Sequence, residues 1–214
     1  MNKKTTLILI FTFAIAGILS TFGCMTYAYF YGRTDDTTGL QGNTFNTSSG
    51  IVVDAIVDGE MIPLKDSSLT SALTASEVCT DSRGYTACNL FKITLSNNGV
   101  AQTFTGKIVT NSGTTFGNNV LKYQLLTKSG NTYTGASDTA SLSTTTDNPF
   151  QLNSTAINFN LPDGQTTPYS VDYYLVIWLS DNNNDQPLTQ NNHLNASLSF
   201  TSTLGDHIAA DFAS

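Results

Sequence analysis

The sequence is poor in charge, and above all in positive charge. Charged residues make up 12% of the 214-residue chain, with 9 Lys and Arg against 16 Asp and Glu, so the formal net charge is −7. Removal of a leader that contains Lys3 and Lys4 would take away two of those positive charges. Nucleic acids and anionic lipid surfaces are bound through clusters of Lys and Arg. We therefore expect neither of them as a partner.

Residues that usually carry catalysis are also scarce. The chain has two histidines, His193 and His207, whose separation does not fit an HExxH zinc motif, and it contains no GxSxG motif and no glycine-rich phosphate loop. The paired carboxylates Asp35-Asp36 lie in a polar segment that offers nothing to shift their pKa values. We predict a protein that is not an enzyme and that needs no cofactor.

The first 28 residues have the pattern of a signal peptide. Lys3-Lys4 is followed by an uncharged, largely apolar run over residues 5–26, which predicts an N-terminal apolar helix. Thr26-Tyr27-Ala28 places small residues where a signal peptidase reads, which predicts cleavage between Ala28 and Tyr29. The run is also long enough to cross a bilayer of about 30 Å, so a membrane anchor over residues 5–26 is the alternative if the leader is retained.

The remaining chain is divided by composition. Residues 29–49 predict a flexible arm, because from Gly32 onward they are rich in Thr, Gly and Asn, with Phe45 as the main apolar side chain. Residues 50–204 alternate between apolar runs and turn signals and predict one β-domain, and residues 205–214 predict a C-terminal tail.

The most apolar run after the leader predicts the central strand of this domain. Residues 173–179 are apolar on both faces, which is typical of a strand that is covered on both sides. Residues 90–96 and 103–110, with Asn97-Asn98-Gly99 between them, predict a β-hairpin. Further short strands, separated by turns that contain Pro and Gly, favour an all-β, two-sheet antiparallel sandwich resembling a jelly roll, with one short helix at most.

Cys79 and Cys88 are the cysteines that remain after the leader. In an exported chain an even number of cysteines at this spacing indicates a disulfide, which would contribute about 2–3 kcal/mol by closing a short loop. A metal site is the alternative, but it would need further Cys or His ligands nearby.

The polar segment after the central strand allows two interpretations. Asp181, Asn183 and Asp185 stand at every second position, as oxygen ligands do in the first half of an EF-hand loop. Gln186 stands where that loop has its Gly, and Asn192 stands where it has its bidentate Glu. A solvated turn is the other interpretation. A calcium-stiffened loop would suit a surface adhesin or a carbohydrate-binding module.

Several separated segments resemble one family. They are Thr26-Tyr27-Ala28-Tyr29-Phe30, Cys88-Asn89-Leu90-Phe91 running into Ser96-Asn97-Asn98-Gly99, and Trp178-Leu179-Ser180-Asp181 with Asp185-Gln186. Together they resemble the TasA/camelysin family of exported biofilm-matrix proteins. The resemblance implies a jelly-roll fold and extracellular fibres in which the N-terminal segment of one subunit completes the sheet of the next. Some relatives carry a metallopeptidase label, for which this chain lacks the usual motif.

Carried onto this chain, the resemblance places the donor strand within residues 29–49, around Phe45, and the acceptor after Gly50. An exposed sheet edge is a template for such a strand. We predict a secreted structural subunit of matrix fibres or surface filaments whose partners are copies of itself and, during export, a signal peptidase. The membrane would be contacted only through the leader. The alternatives are the calcium-stiffened adhesin or carbohydrate-binding module and, less favoured, a peptidase.

Overall fold

The chain folds into two antiparallel β-sheets that pack face to face, which confirms the predicted all-β sandwich. The computed structural model describes residues 40–42, 49–74, 76–181 and 192–213. The predicted leader helix lies outside the described residues. The strands are β1 Leu40–Gly42, β2 Ser49–Val57, β3 Asn89–Asn97, β4 Gln102–Thr110, β5 Leu121–Ser129, β6 Thr132–Gly135, β7 Ala140–Ser141, β8 Asn148–Pro149, β9 Gln151–Leu152, β10 Thr155–Ala156, β11 Asn158–Leu161, β12 Tyr169–Leu179, β13 Asn195–Ser202 and β14 His207–Ala213.

The two sheets differ in size and in what covers them. Within the described residues the larger sheet has the order β1-β2-β3-β12-β5-β6, with β7 also paired to β5, and the smaller has the order β11-β4-β13-β14, with β8 paired to β4. A separate two-stranded hairpin joins β9 to β10. Their facing sides bury one core, to which aromatic rings contribute heavily: Phe91, Phe104, Phe150, Phe159, Phe200 and Phe212.

Strand β12 is the centre of the larger sheet and is buried on both faces, as predicted. Leu175 and Ile177 face the core between the sheets, whereas Val176 and Trp178 face a second core on the outer side. All four are fully buried. A strand with this double pattern requires a layer of protein on each side, because either face alone would expose large apolar side chains.

The outer layer is the segment between β2 and β3, residues 58–88, which we call the cover segment. It holds a 3₁₀ turn, Asp66–Ser68, and a short helix α1, Leu69–Ala72, in agreement with the expectation of one short helix at most. Its buried side chains pack with Trp178 in the second core: Leu64, Leu69, Ala72, Leu73, Cys79, Ala87 and Cys88. The predicted disulfide between Cys79 and Cys88 is present, with a Cα–Cα separation of 5.5 Å.

Polar contacts also attach the cover segment to the sheet. The Asp66 carboxylate accepts a hydrogen bond from Trp178 Nε1 at 3.1 Å and pairs with the Lys122 ammonium. Glu77 pairs with Lys128 at 2.6 Å, and the Lys128 ammonium lies over the ring of Tyr133. The cover segment is therefore held by charged contacts at two positions along its length, Asp66 and Glu77.

Two sequence predictions about the strands are wrong. Strands β3 and β4 do not form a hairpin, because β3 pairs with β2 and β12 in one sheet while β4 pairs with β11 and β13 in the other. The chain reverses at the turn but passes from one sheet to the other, so the apolar residues of both strands, Phe91 and Phe104 among them, meet in the core between the sheets. The predicted tail is strand β14, whose alternate residues Ile208, Ala210 and Phe212 are buried.

We expect loss of the disulfide to destabilise the fold by about 2–3 kcal/mol, because the unfolded chain regains the freedom of the closed loop. Urea unfolding of the Cys79→Ala/Cys88→Ala variant, with and without reductant, measures this difference. Reductant should destabilise the parent protein and leave the variant unchanged. Equal stability of the two proteins under oxidising conditions would contradict the prediction.

We also expect Asp66 to make the free energy of unfolding depend on pH. Partial burial raises the pKa of its carboxyl, but the hydrogen bonds from Lys122 and Trp178 and the Lys122 charge outweigh burial and lower it. A lowered folded-state pKa stabilises the protein above the unfolded value of about 4, and this contribution disappears as the pH falls through the folded-state value.

The Asp66→Asn variant should therefore be less stable than the parent at pH 7, with a difference that shrinks below pH about 4. Urea unfolding followed by the fluorescence of Trp178, the single tryptophan, measures it. Asp163→Asn, at an exposed position, is the control. A difference that is the same at both ends of the pH range would refute the assignment.

Candidate functional site

The candidate site is the outer edge of β2, where the described part of the N-terminal arm is bound. Strand β1 pairs antiparallel with β2, with Leu40 opposite Val53, Gln41 opposite Val52 and Gly42 opposite Ile51. On its other side β2 pairs with β3 along almost its whole length, from Ser49 to Val57. The described part of the arm therefore pairs with three residues of a nine-residue strand.

The last four residues of β2 have no strand partner on this edge among the described residues. Residues 54–57 of β2 extend beyond the pairing with β1, and the register of β2 against β3 shifts between Ala55 and Val57. Such a shift marks a bulge, which increases the local twist of an edge and limits uncontrolled pairing. The edge is thus partly protected and partly open to a longer strand.

The edge of the smaller sheet lies beside this site. Strand β14 is the last strand of that sheet and lies next to both β1 and β2. Beneath it, the rings of Phe212 and Phe91 pack with their centroids 4.9 Å apart, which ties β14 to β3 across the core. The arm strand therefore occupies the side of the sandwich where the outer strands of the two sheets come together.

Asn97 fixes the point at which the arm enters the fold. Its buried side-chain oxygen accepts hydrogen bonds from Ser49 Oγ at 3.1 Å and from the Gly99 amide at 3.0 Å. Its side-chain nitrogen donates to the carbonyl oxygens of Val100 at 2.9 Å and Pro162 at 2.7 Å. One side chain thus joins the start of β2, the connection between β3 and β4, and the loop after β11.

Backbone packing around Asn97 leaves no room for adjustment. A Cβ atom on Gly164 would lie 1.9 Å from the Asn97 carbonyl oxygen, so the loop after β11 can approach this closely only with glycine. The Gly164 amide donates to the Gly99 carbonyl at 2.8 Å. The base of the arm is therefore attached to a rigid end of the sandwich.

Most of the other predicted site residues lie outside the described residues. These are Ala28 and Tyr29 at the predicted cleavage point, Phe45 in the arm, and Asn183 and Asp185 of the predicted calcium loop. Asp181 is described: its backbone amide donates to the Leu64 carbonyl at 3.0 Å, where the cover segment meets the end of β12. The calcium site stays a prediction.

The described residues bring together little catalytic or metal-binding chemistry. In residues 49–74, 76–181 and 192–213, no three His, Cys, Asp or Glu side chains are grouped as metal ligands would be. His193 bonds through its backbone to Thr115, and the His207 ring contacts Ser199 Oγ at 3.0 Å. No helix within the described part of the chain is long and apolar enough to cross a membrane.

The structural likeness that comparisons with known proteins reveal is weak. No family model matches the chain, and no curated protein is similar to it. A collagen-binding subdomain of the Enterococcus faecalis surface protein ACE aligns over 58% of this chain and 84% of its own, with 10% identity and a TM-score of 0.22. A TM-score this low carries no information about what the present chain does.

Sequence reasoning missed two parts of this site. The pairing of β1 with β2 rests on a Leu-Gln-Gly triplet, which is too short for any periodicity to reveal. Asn97 was recognised only as a turn residue, although its side chain is buried and makes contacts across 48 and 65 positions of sequence. The Asn-Asn-Gly signal alone does not distinguish a surface turn from such a buried junction.

We expect Asn97→Ala to lower the free energy of unfolding by about 1–3 kcal/mol, because buried partners of the amide lose their hydrogen bonds. Asn98→Ala is the matched control, since the neighbouring Asn98 is exposed. Its effect should stay within about 0.5 kcal/mol. Urea unfolding of both variants measures the difference, and equal losses would show that Asn97 is not the junction.

Proposed function

We propose that this protein is a secreted structural subunit whose N-terminal arm can pair with β2 of another copy, so that copies join into extracellular fibres or surface filaments. The observation that supports the proposal most strongly is the three-residue pairing of β1 on a nine-residue edge. Within the described residues this arrangement leaves main-chain donors and acceptors of residues 54–57 for a strand that extends further, and such pairing supplies affinity in strand addition.

The same contact can form within one chain or between two. An arm that folds back on its own β2 and an arm that reaches another copy make the same backbone hydrogen bonds, as in domain swapping. The choice then depends on protein concentration and on the linker rather than on new contacts. The arrangement agrees with the resemblance to the TasA/camelysin family, in which strand donation joins the subunits.

The composition supports the same function. A chain with few charges, a predicted leader and a disulfide suits an exported protein, because disulfides persist in oxidising surroundings. We propose that the protein acts through assembly and not through catalysis, in the matrix or at the cell surface. Its partners are copies of itself and, during export, the signal peptidase.

The proposal is tested by comparing residues 29–214 with residues 50–214, which lack the arm. Every residue of both buried cores lies after Ser49, so the shorter chain keeps the whole described core. Negative-stain electron microscopy should show filaments for the longer chain and none for the shorter, with circular dichroism as the check on folding. Filaments from both chains, or from neither under any condition, would contradict the proposal.

A point variant tests the pairing itself. Proline lacks the amide that a ladder hydrogen bond needs, and of two neighbouring strand residues one points its amide at the partner. Leu40→Pro/Gln41→Pro in the longer chain should therefore abolish filaments, whereas the matched Leu40→Ala/Gln41→Ala variant should retain them. Filaments that persist in the proline variant would show that the arm joins copies in some other way.

A further inference from the structure

Two strongly exposed aliphatic side chains lie at the same end of the sandwich. Val100, in the connection between β3 and β4, is 47% exposed, and Leu204, in the turn between β13 and β14, is 62% exposed. The Thr203 amide donates to the Thr103 carbonyl at 2.9 Å, so the two turns are neighbours. Exposed aliphatic residues are common singly, but a pair on adjacent turns forms a small apolar patch.

Both side chains stand on turns that are already ordered. The Val100 carbonyl is held by the buried Asn97 amide group. In the other turn, Ser202 Oγ accepts hydrogen bonds from the amides of Leu204 at 3.1 Å and Asp206 at 2.9 Å. A contact made by such turns loses little conformational entropy on binding, which favours an interface.

This end is also the one at which the arm leaves the fold. Ser49, the first residue of β2, is the strand partner of Asn97, and its hydroxyl donates a hydrogen bond to the Asn97 side-chain oxygen. The connection from Gly42, at the end of β1, to Ser49 spans at most about 25 Å when it is fully extended. An arm that pairs with a second copy therefore keeps the acceptor strand of that copy close to this end.

We propose that Val100 and Leu204 form an apolar contact with the second copy that binds the arm; this inference rests on the proposed function. The charge of the chain points the same way, since two copies without the leader, which lack Lys3 and Lys4 and so carry a formal net charge of −9 each instead of −7, repel one another. A contact between like-charged copies has to come from main-chain pairing and apolar burial. The patch supplies the apolar part beside the strand pairing.

The test uses residues 29–214 carrying Val100→Glu/Leu204→Glu, with Val78→Glu/Leu152→Glu as the matched control. Val78 is 42% exposed and Leu152 is 49% exposed, and they lie in the cover segment and in the β9–β10 hairpin, not on the two turns that carry Val100 and Leu204. Sedimentation across a dilution series gives the protein concentration at which half of the chain is assembled. Thermal unfolding confirms that each variant is folded.

We expect the Val100→Glu/Leu204→Glu variant to need at least about tenfold more protein for half assembly, and the control to stay within about threefold of the parent. The Val100→Ser/Leu204→Ser variant should also need more protein than the control for half assembly, because it loses the apolar contact without gaining charge.

The failure of this inference is distinguishable from that of strand exchange. If the glutamate variant assembles like its control while the Leu40→Pro/Gln41→Pro chain does not assemble, the apolar contact is refuted and strand exchange stands. If the parent chain never assembles, both are refuted.

Discussion

The need to cover β12 on both faces is the constraint on which the rest of the structure depends. Leu175 and Ile177 bury one side of this strand and Val176 and Trp178 the other, so the chain must supply a layer for each. The smaller sheet is one layer, and the cover segment is the other. The cover segment is short and has little regular structure, which is why the disulfide and the ion pairs of Asp66 and Glu77 hold it in place. Its buried side chains and these covalent and ionic contacts together keep this mostly irregular segment from opening locally.

A sandwich built around such a strand still has outer strands whose backbone groups are unpaired on one side. Here β2 and β14 are brought together on one side of the molecule, and β1 is added to β2 at that place. Short pairing, a bulge near the end of β2 and the net negative charge all limit uncontrolled edge-to-edge association. They leave room for a specific strand from the arm, and Asn97 attaches that arm to a rigid end of the fold. Protection of an edge and use of the same edge are therefore compatible in one structure.

The sequence was sufficient to predict the features that depend on local patterns. The alternation of apolar residues in β12, the pairing of Cys79 with Cys88 and the all-β antiparallel sandwich could all be derived from composition, periodicity and spacing. Features that depend on distant partners could not. The segment of strand β14 predicts a tail, although Ile208, Ala210 and Phe212 are buried in the fold, and the Asn97-Asn98-Gly99 turn indicates a reversal without showing that the chain changes sheets. The role of Asn97 and the position of β1 follow from contacts that only the folded chain brings together.

The central claim is that the strand of the arm pairs with β2 of another copy. Leu40 and Val53 are direct partners across β1 and β2, and facing strand positions lie at a distance that a disulfide can bridge. Mixing a Leu40→Cys chain with a Val53→Cys chain under mild oxidation, followed by non-reducing electrophoresis and mass mapping, therefore tests exchange between copies directly. The account predicts a disulfide between the two chains, in an amount that rises with protein concentration. A link that forms only when both cysteines are in one chain, and never between chains, would contradict it.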